Sequence, residues 1–286
     1  MQRRKATEEH QDGLDIKARV QHNFSFRTTN LVDKSRFSSI TNYDFSLQST
    51  KVKFFEEQDV KTGQPTKGVN HTFINLTSTV DSARYRGHMY DANTLQDSLR
   101  LASHEQEILS KIPTHPNIIC AAGLFRHCGS DYSIFVLPGQ PLSAAFMCSD
   151  DDVNKVSAAL VNAVFHIHNE DIIHNLISPA VLFRSTSGVF RLGYFQLACR
   201  DITSVPWLMS QIESHGTRFT APEILKGCRP TKASDVYSVG KVLCDIFKSK
   251  KISPQFKILI DECCSPDFTR RPNIKQLKER FASSIM

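Results

Sequence analysis

The chain has 286 residues, of which 40% are hydrophobic and 22% are charged, and its formal net charge is +6 at pH 7. This composition excludes a disordered or fibrous protein and allows one sizeable core or two packed lobes. The positive charge forms no dominant basic run, which argues against nucleic-acid binding. The eight cysteines lack metal-site spacing, and no apolar stretch is long enough to span a membrane. We therefore expect a cytoplasmic or nuclear protein that binds no metal, nucleic acid or membrane.

The first half of the chain predicts an arm, then strands, then a helix. Residues 1–40 are polar and aperiodic, which predicts a flexible N-terminal arm. Apolar residues then indicate strands over 43–55, and another short apolar strand is expected over 71–76. Over 94–112 the apolar residues follow helical spacing, and Pro113 ends the predicted helix.

The second half begins with a buried strand predicted over 134–137 and continues mainly with helices. The first of these helices is predicted over 151–168, where apolar residues line one face and acidic residues can cap the N-terminus. Strands followed by helices favour a two-lobed α+β fold over a series of βαβ units.

Short motifs in this second half occur in the order found in protein kinases. Residues 172–183 resemble the catalytic loop H-R-D-x-K-P-x-N, and residues 191–198 resemble the D-F-G strand and turn. Residues 216–225 contain Ala-Pro-Glu, which resembles the end of a kinase activation segment. Residues 235–240 resemble the start of the central helix of the kinase C-lobe, and residues 265–272 resemble its closing Arg-Pro motif.

The resemblance to the eukaryotic protein kinases covers about residues 43–282, and its motifs keep near-correct spacing. It implies a protein kinase-like domain over 43–286, with a small β-rich N-lobe (43–137) and a helical C-lobe (142–286). The helix-G region of kinases has no counterpart, because residues 248–251 lead directly into the segment that resembles the penultimate helical pair.

The same resemblance places unsuitable residues where phosphoryl transfer needs chemistry. Leu176 stands at the catalytic Asp, Val181 at the metal-binding Asn, and Tyr194 at the D-F-G Asp. Asn75 is aligned with the lysine of the V-A-I-K strand, and the phosphate-covering loop falls near 47–52, in a stretch without glycine. These replacements predict a pseudokinase, similar to the Tribbles or STRAD kind, with no magnesium site and no catalytic residue.

Residues that hold a kinase together are, in contrast, mostly present. Glu223 and Arg271 resemble the ion pair that ties the activation segment to the C-lobe. Asp235 resembles the helix residue that accepts hydrogen bonds from the catalytic loop, whose His174 is kept. Glu105 is aligned with the acidic residue of the regulatory helix, where it is expected to be unpaired, and Glu107 is the alternative. We expect structural roles for all five.

Aromatic residues and cysteines leave alternatives open at this point. Tyr194 either fills the vacated metal site or simply packs in the core. Trp207 is the candidate residue for partner binding, as an exposed anchor of the activation segment, and packing against the C-lobe is the alternative. Cys263 and Cys264 are interpreted as core residues, with redox sensing as the alternative.

The function expected from these residues is that of a protein-binding scaffold or allosteric regulator in signalling, with a protein partner such as an active kinase. The alternative is a divergent serine/threonine kinase that keeps ATP binding or weak phosphotransfer, with Lys51 or Lys53 replacing the missing lysine. No cofactor is expected in the first case, and ATP bound without magnesium would indicate a nucleotide-sensing switch.

Overall fold

The computed structural model describes residues 54–67, 71–80, 82–90, 95–136, 139–142, 150–200, 202 and 206–285. All of them belong to a single unit, Val52–Met286. The predicted N-terminal arm, most of the first predicted strands and the predicted phosphate loop lie outside the described residues. Among the described residues, no helix combines the length and the apolar character that crossing a bilayer requires.

The N-lobe is a β-sheet in the strand order β1-β6-β7-β5-β4-β2, with β3 paired to β4. Apart from the parallel pair β1 and β6, its neighbouring strands are antiparallel. The strands are β1 (Phe54–Phe55), β2 (Val60–Thr62), β3 (Thr66–Lys67), β4 (His71–Ser78), β5 (Arg84–Tyr90), β6 (Cys120–His127) and β7 (Ser130–Val136).

Helix α1 (Leu95–Ser110) packs across strands β5, β6 and β7 of this sheet. Its buried apolar residues include Leu99, Ala102 and Ile108, which belong to the apolar face that the sequence predicts. The helix ends at Ser110, shortly before Pro113, because proline cannot continue the backbone hydrogen-bonding pattern. This helix places Glu105 against the strands that precede and follow it.

The C-lobe begins with α2 (Asp150–Asn169), a helix whose apolar face is almost completely buried. Three aspartates occupy the first turn of α2, where the positive end of the helix dipole favours carboxylates. The remaining regular elements are β8 (Gln140–Pro141), β9 (Leu182–Arg184), β10 (Phe190–Leu192), α3 (Trp207–Ser214), α4 (Lys232–Ile246), α5 (Pro254–Cys263) and α6 (Ile274–Ile285). Strands β8, β9 and β10 form a separate small sheet in the order β10-β9-β8.

Helices α4 and α5 are joined only by residues 247–253. Helix α4 begins with a capping box between Thr231 and Ser234, and α5 begins with Ser253 as N-cap followed by Pro254. These signals fix where both helices start, so the connection stays short. This connection contains no helix. It lies where the resemblance to kinases indicates that the helix-G region is missing.

The two-lobed α+β fold predicted from the sequence is confirmed, but several strands were missed, β5 and β6 among them. Strand β5 carries Arg84, Arg86, Gly87 and His88, so it lacks the apolar alternation by which strands are predicted. Strand β6 forms a hairpin with β7 through Cys128 and Gly129, both at positive φ, as a tight hairpin turn requires.

Candidate functional site

The loop that resembles a kinase catalytic loop is held by the carboxylate of Asp235, on α4. Its Oδ2 accepts a hydrogen bond from the backbone N–H of His174 at 2.7 Å and lies 3.0 Å from Nε2 of His168. Its Oδ1 accepts from the backbone N–H of Asn175 at 3.0 Å. Asn175 has φ of 66°, which asparagine tolerates better than most residues. The buried carboxylate therefore fixes a loop conformation that its own backbone does not favour.

His174 connects this loop to the end of β10. Burial lowers the pKa of His174 to about 4, although Asp235 and the carbonyl of Gly193 oppose the shift. The ring is therefore neutral at physiological pH, and its Nε2–H donates to Gly193 O at 3.0 Å. Nδ1 is then free to accept from the backbone N–H of Leu176 at 3.3 Å. His174 acts here as a structural residue with a defined tautomer.

Apolar side chains stand at the two loop positions that are aligned with the catalytic Asp and the metal-binding Asn of kinases. Leu176 is half-buried and packs against the main hydrophobic core. Val181 is buried at the end of a short 3-10 turn, Pro179–Val181, and its carbonyl accepts from Gly193 N at 2.9 Å. A hydrocarbon side chain can neither accept a proton nor bind a hard cation such as Mg²⁺. In this geometry the side chains of Leu176 and Val181 contribute packing to the loop.

Tyr194 lies in a stack of three rings, which we call the aromatic cluster: His88 from β5, Phe183 from β9, and Tyr194. Ring centroids are 5.2 Å apart for His88 and Tyr194, 5.7 Å for His88 and Phe183, and 5.5 Å for Phe183 and Tyr194. The exposed fractions of these residues are 1%, 0% and 5% in the order His88, Phe183, Tyr194. Tyr194 therefore packs in the core, as one of its two sequence-based alternatives expects.

The backbone of Tyr194 has φ of 62°, a left-handed conformation that is uncommon for a bulky residue. Such a conformation persists only when the surrounding packing compensates for its cost of about 1–3 kcal/mol. Burial raises the pKa of the Tyr194 phenol, and the negative charge of Glu105 adds to the shift. The side chain at this position is thus a neutral phenol within a ring stack, and it supplies no carboxylate.

Glu105, on α1, is paired, contrary to the expectation from sequence. The hydroxyl of Tyr90 donates to Oε2, and the backbone N–H of Phe195 donates to Oε1 at 2.6 Å. Burial raises the pKa of Glu105 to about 7, while hydrogen bonds from Tyr90, Ser133 and Phe195 N partly oppose the shift. This fully buried carboxylate therefore ties strand β5 and the turn after Tyr194 to the regulatory helix.

The assignment of Asn75 to the lysine position is wrong. The lysine of the V-A-I-K strand pairs with the glutamate of the regulatory helix, and here the residue that contacts Glu105 is Tyr90. Tyr90 lies on β5, the strand immediately before α1. Asn75 lies one strand earlier, is exposed, and accepts a bond from Arg86 Nε at 3.3 Å. In this structure a tyrosine, and not Asn75, therefore contacts the glutamate of α1.

Arg86, on β5, reaches across to the segment that joins the two lobes. Its Nη1 donates to the carbonyl of Gly139 at 2.5 Å, and its guanidinium lies 5.0 Å from the ring centre of Phe73. Gly139 has φ of 89°, and a Cβ there would lie 2.2 Å from the carbonyl oxygen of Arg184. Only glycine fits this close approach, which holds the Gly139 carbonyl in reach of the arginine.

Glu223 and Arg271 form a buried, bidentate ion pair. Arg271 Nη1 donates to Oε1 of Glu223 at 2.6 Å, and Nη2 donates to Oε2 at 2.8 Å. Arg271 also donates to the carbonyls of Ser265 at 2.8 Å and Ala233 at 3.0 Å. Burial opposes ionisation of Glu223, but the hydrogen bonds and charge of Arg271, together with hydrogen bonds from Ser234 and the backbone, lower the pKa of the carboxyl. The pair joins the end of the activation segment to α4 and the loop before α6.

Trp207 packs against the regulatory helix α1, which neither interpretation from sequence anticipated. The guanidinium of Arg100 lies 4.1 Å from the centre of its ring system, and the ring of His104 meets it edge-on at 5.6 Å. His104 Nε2 also lies 2.7 Å from the carbonyl of Ala198. The half-buried tryptophan thus links α3 of the activation segment to α1, and its ring is not a fully exposed anchor.

The chain belongs to the protein kinase domain family, whose model matches residues 88–255. It is 28% identical over 176 residues to the membrane-associated tyrosine- and threonine-specific cdc2-inhibitory kinase wee-1.3 of Caenorhabditis elegans, over 55% of this chain and 26% of that protein. It is 32% identical over 106 residues to eukaryotic translation initiation factor 2-alpha kinase 1 of Mus musculus, which covers 33% of this chain and 17% of that protein. It is 24% identical over 229 residues to ribosomal protein S6 kinase 2 beta of Xenopus laevis, which covers 77% of this chain and 36% of that protein. The chain therefore spans well under half of each relative's length.

Replacing Glu105 by glutamine is expected to change how stability depends on pH. Because the pKa of Glu105 is about 7 in the folded chain and near 4.5 when unfolded, the folded state binds more protons between these values. The free energy of unfolding therefore falls as pH rises through this window, by at most about 3 kcal/mol from this residue. Glu105→Gln removes that contribution, so the variant should gain stability relative to the unaltered chain from pH 5 to pH 8.

The measurement is urea unfolding of both proteins at several pH values, corrected for any change in slope. Glu107→Gln is the matched control, because Glu107 lies on the same helix and pairs with Lys111 at the surface. A stability difference between Glu105→Gln and the unaltered chain that stays constant with pH would contradict the role of this buried carboxylate.

Proposed function

We propose that this chain is a catalytically inactive member of its family, a pseudokinase that acts as a protein-binding scaffold or allosteric regulator. Its partner in this proposal is another protein, such as an active kinase in a signalling pathway. The aromatic cluster carries the proposal, because three stacked rings occupy the D-F-G position and its surroundings. The similarity to the Tribbles and STRAD kind, in which chemical residues are lost and fold residues kept, supports the same function.

The residues present do not fit a magnesium–nucleotide complex. Mg²⁺ requires oxygen ligands in near-octahedral geometry, usually from one or two carboxylates and the substrate phosphates. Val181 supplies no oxygen ligand, and Tyr194 supplies a neutral phenol that faces the other two rings. Leu176 cannot accept the proton of a substrate hydroxyl, which alone typically costs about 10²–10⁴ in rate. Positioning and charge stabilisation, the main sources of phosphoryl-transfer catalysis, are both impaired.

The lysine position and the inter-lobe segment support the same conclusion. Tyr90 contributes a hydroxyl where kinases place a cation for the phosphates, and this hydroxyl is bonded to Glu105. The guanidinium of Arg86 binds the carbonyl of Gly139, so a ligand would have to compete with a charge-assisted hydrogen bond for that acceptor. Side chains of the chain itself therefore make contacts that a nucleotide would need.

The retained contacts support a binding role. Asp235 holds the loop, and the Glu223–Arg271 pair holds the end of the activation segment. These contacts keep the surface of the C-lobe in one conformation, which favours protein binding because little ordering entropy is lost. Leu225, beside this pair, is 61% exposed and lies next to a shallow depression lined by Ile212 and Ile224.

A divergent serine/threonine kinase with weak phosphotransfer is the second candidate function. The observation that favours it is that the named relatives are described as kinases. In that case Lys51 or Lys53 would take over the phosphate contacts of the missing lysine, and both lie outside the described residues.

A phosphotransfer assay separates the two candidates. The purified chain is incubated with labelled ATP, magnesium or manganese, and generic protein substrates, beside an active kinase as positive control. We expect incorporation indistinguishable from a sample without enzyme, for lack of a base at Leu176. Metal-dependent incorporation that disappears in a Glu105→Ala variant would instead support the divergent kinase. Co-purification at physiological salt tests the binding role, and a strictly monomeric protein without partners would count against it.

A further inference from the structure

Helices α4 and α5 cross at Gly240 with almost no space between them. A Cβ at Gly240 would lie 2.5 Å from Cβ of Cys263 and 3.0 Å from Sγ of Cys264. Real side chains do not approach this closely, so the crossing requires glycine. The sulfur of Cys264 therefore lies directly over the surface of α4.

Cys244 follows Gly240 by one helical turn on the same side of α4. Its side chain is exposed, whereas Cys264 is partly buried at the C-terminal end of α5. Burial raises the pKa of Cys264 to about 11, and the charges of Lys241 and Cys244 also act on this thiol. Both of those residues thus lie near enough to act on Cys264 electrostatically, in keeping with their positions around Gly240 on α4.

Cys263, which directly precedes Cys264 in the sequence, is more deeply buried than Cys244 and Cys264. Cys263 has no exposed surface, and burial raises its pKa to about 12, so it is a core residue as the sequence suggested. Cys264, one position later, is only partly buried: it packs at the edge of the core, and its sulfur lies over α4 at Gly240. Adjacent cysteines in the sequence therefore have different environments, and the partner of Cys264 comes from another helix.

We propose that Cys244 and Cys264 form a reversible disulfide when the chain meets hydrogen peroxide. The thiolate of solvent-exposed Cys244 attacks the peroxide, the O–O bond breaks, and water and a sulfenic acid form at Cys244. The sulfur of Cys264 then attacks this sulfenic sulfur, loses its proton, and expels a second water as the S–S bond forms. Two thiols give up two electrons in total, and one peroxide is reduced to two waters. A dithiol reductant reverses the reaction.

The bridge would connect α4 to the end of α5 and close a loop that contains the short connection 247–253. It would thereby fix the face of the C-lobe where the helix-G region of kinases has no counterpart. This inference is independent of the proposed function, because it depends only on the packing of two helices.

The test uses the full chain, oxidised with hydrogen peroxide, alkylated and analysed by peptide mass spectrometry. We expect one linked peptide pair containing Cys244 and Cys264, and a protein lighter by two hydrogen atoms. The non-reducing melting temperature should rise by about 5 °C, because the bridge restricts the unfolded chain. A dithiol reductant should abolish both changes.

Cys244→Ser should remove the linked peptides and the thermal shift, and since this position is exposed the variant should fold. Cys228→Ser is the matched control, because Cys228 is also exposed but lies in the loop before α4 and on neither helix, and it should keep both effects. The proposal is overturned if peroxide produces only sulfinic or sulfonic acid at Cys244, or if the bridge that forms involves Cys128 or Cys228.

Discussion

Arg271→Ala should lower the free energy of unfolding by about 3–5 kcal/mol, since it leaves Glu223 as an uncompensated, mostly buried carboxylate. It also leaves the carbonyls of Ser265 and Ala233 without their donor. Natural domains have only about 5–15 kcal/mol of stability, so the loss is a large fraction of the total. Chemical denaturation of the purified variant measures it directly.

Arg280→Ala is the matched control, because Arg280 forms an ion pair with Glu262 at the surface. Solvent-exposed pairs contribute about 0–1 kcal/mol, so this variant should unfold nearly as the unaltered chain does. Similar losses in both variants would show that the bidentate contact with Glu223 is not the source of the stability. If Arg271→Ala does not fold, Arg271→Lys keeps the charge without the fork and should show an intermediate loss.

Asp235→Ala is expected to cost about 3 kcal/mol or more. The change removes the acceptor for the buried N–H groups of His174 and Asn175 and for the ring of His168. Each buried donor left unsatisfied costs about 1–3 kcal/mol. The loop should also open locally, so amide exchange at residues 172–181 should accelerate more than in the rest of the C-lobe.

Asp261→Ala controls for the loss of a carboxylate, because Asp261 pairs with Lys257 at the surface of α5. It should leave both stability and loop exchange nearly unchanged. Asp235→Asn keeps one acceptor oxygen, so its loss of stability should lie between those of Asp235→Ala and Asp261→Ala. Normal exchange in the loop of Asp235→Ala would contradict the role assigned to this carboxylate.

Local motifs made several contacts of the site predictable from sequence. Glu223, Asp235 and Arg271 each lie within short segments whose residue types and order are distinctive. Their contacts depend on the fold that these segments imply, so the resemblance was sufficient to expect them. Helix α1 was equally accessible, because its apolar face and terminating proline are local signals.

The N-lobe half of the site could not be predicted from the sequence in the same way. Strand β5 presents Arg86, His88 and Tyr90 toward the interior, so its buried positions look polar in the sequence. Without this strand, the lysine position was assigned to the earlier apolar strand and to Asn75. The one sequence signal for a different assignment is that the segment of β5 lies directly before the regulatory helix. The partner of Glu105, by contrast, depends on strand register.

The stack of His88, Phe183 and Tyr194 depends on contacts between distant parts of the chain. Phe183 on β9 and Tyr194 after β10 lie close together in the sequence, whereas His88 on β5 comes from a much earlier part of the chain. Sequence identifies Tyr194 as a replaced aspartate but not what surrounds it. Trp207 is similar, because its contacts with Arg100 and His104 join the activation segment to the regulatory helix.

The central claim is that side chains of this protein occupy the part of the cleft that a magnesium–nucleotide complex would need. The most direct measurement is the melting temperature during titration with ATP to millimolar concentration, with and without magnesium. A ligand at 100 times its Kd stabilises a protein by about 2.7 kcal/mol, a readily detected shift. We predict no shift under either condition. A magnesium-dependent, saturable rise in melting temperature would contradict the account.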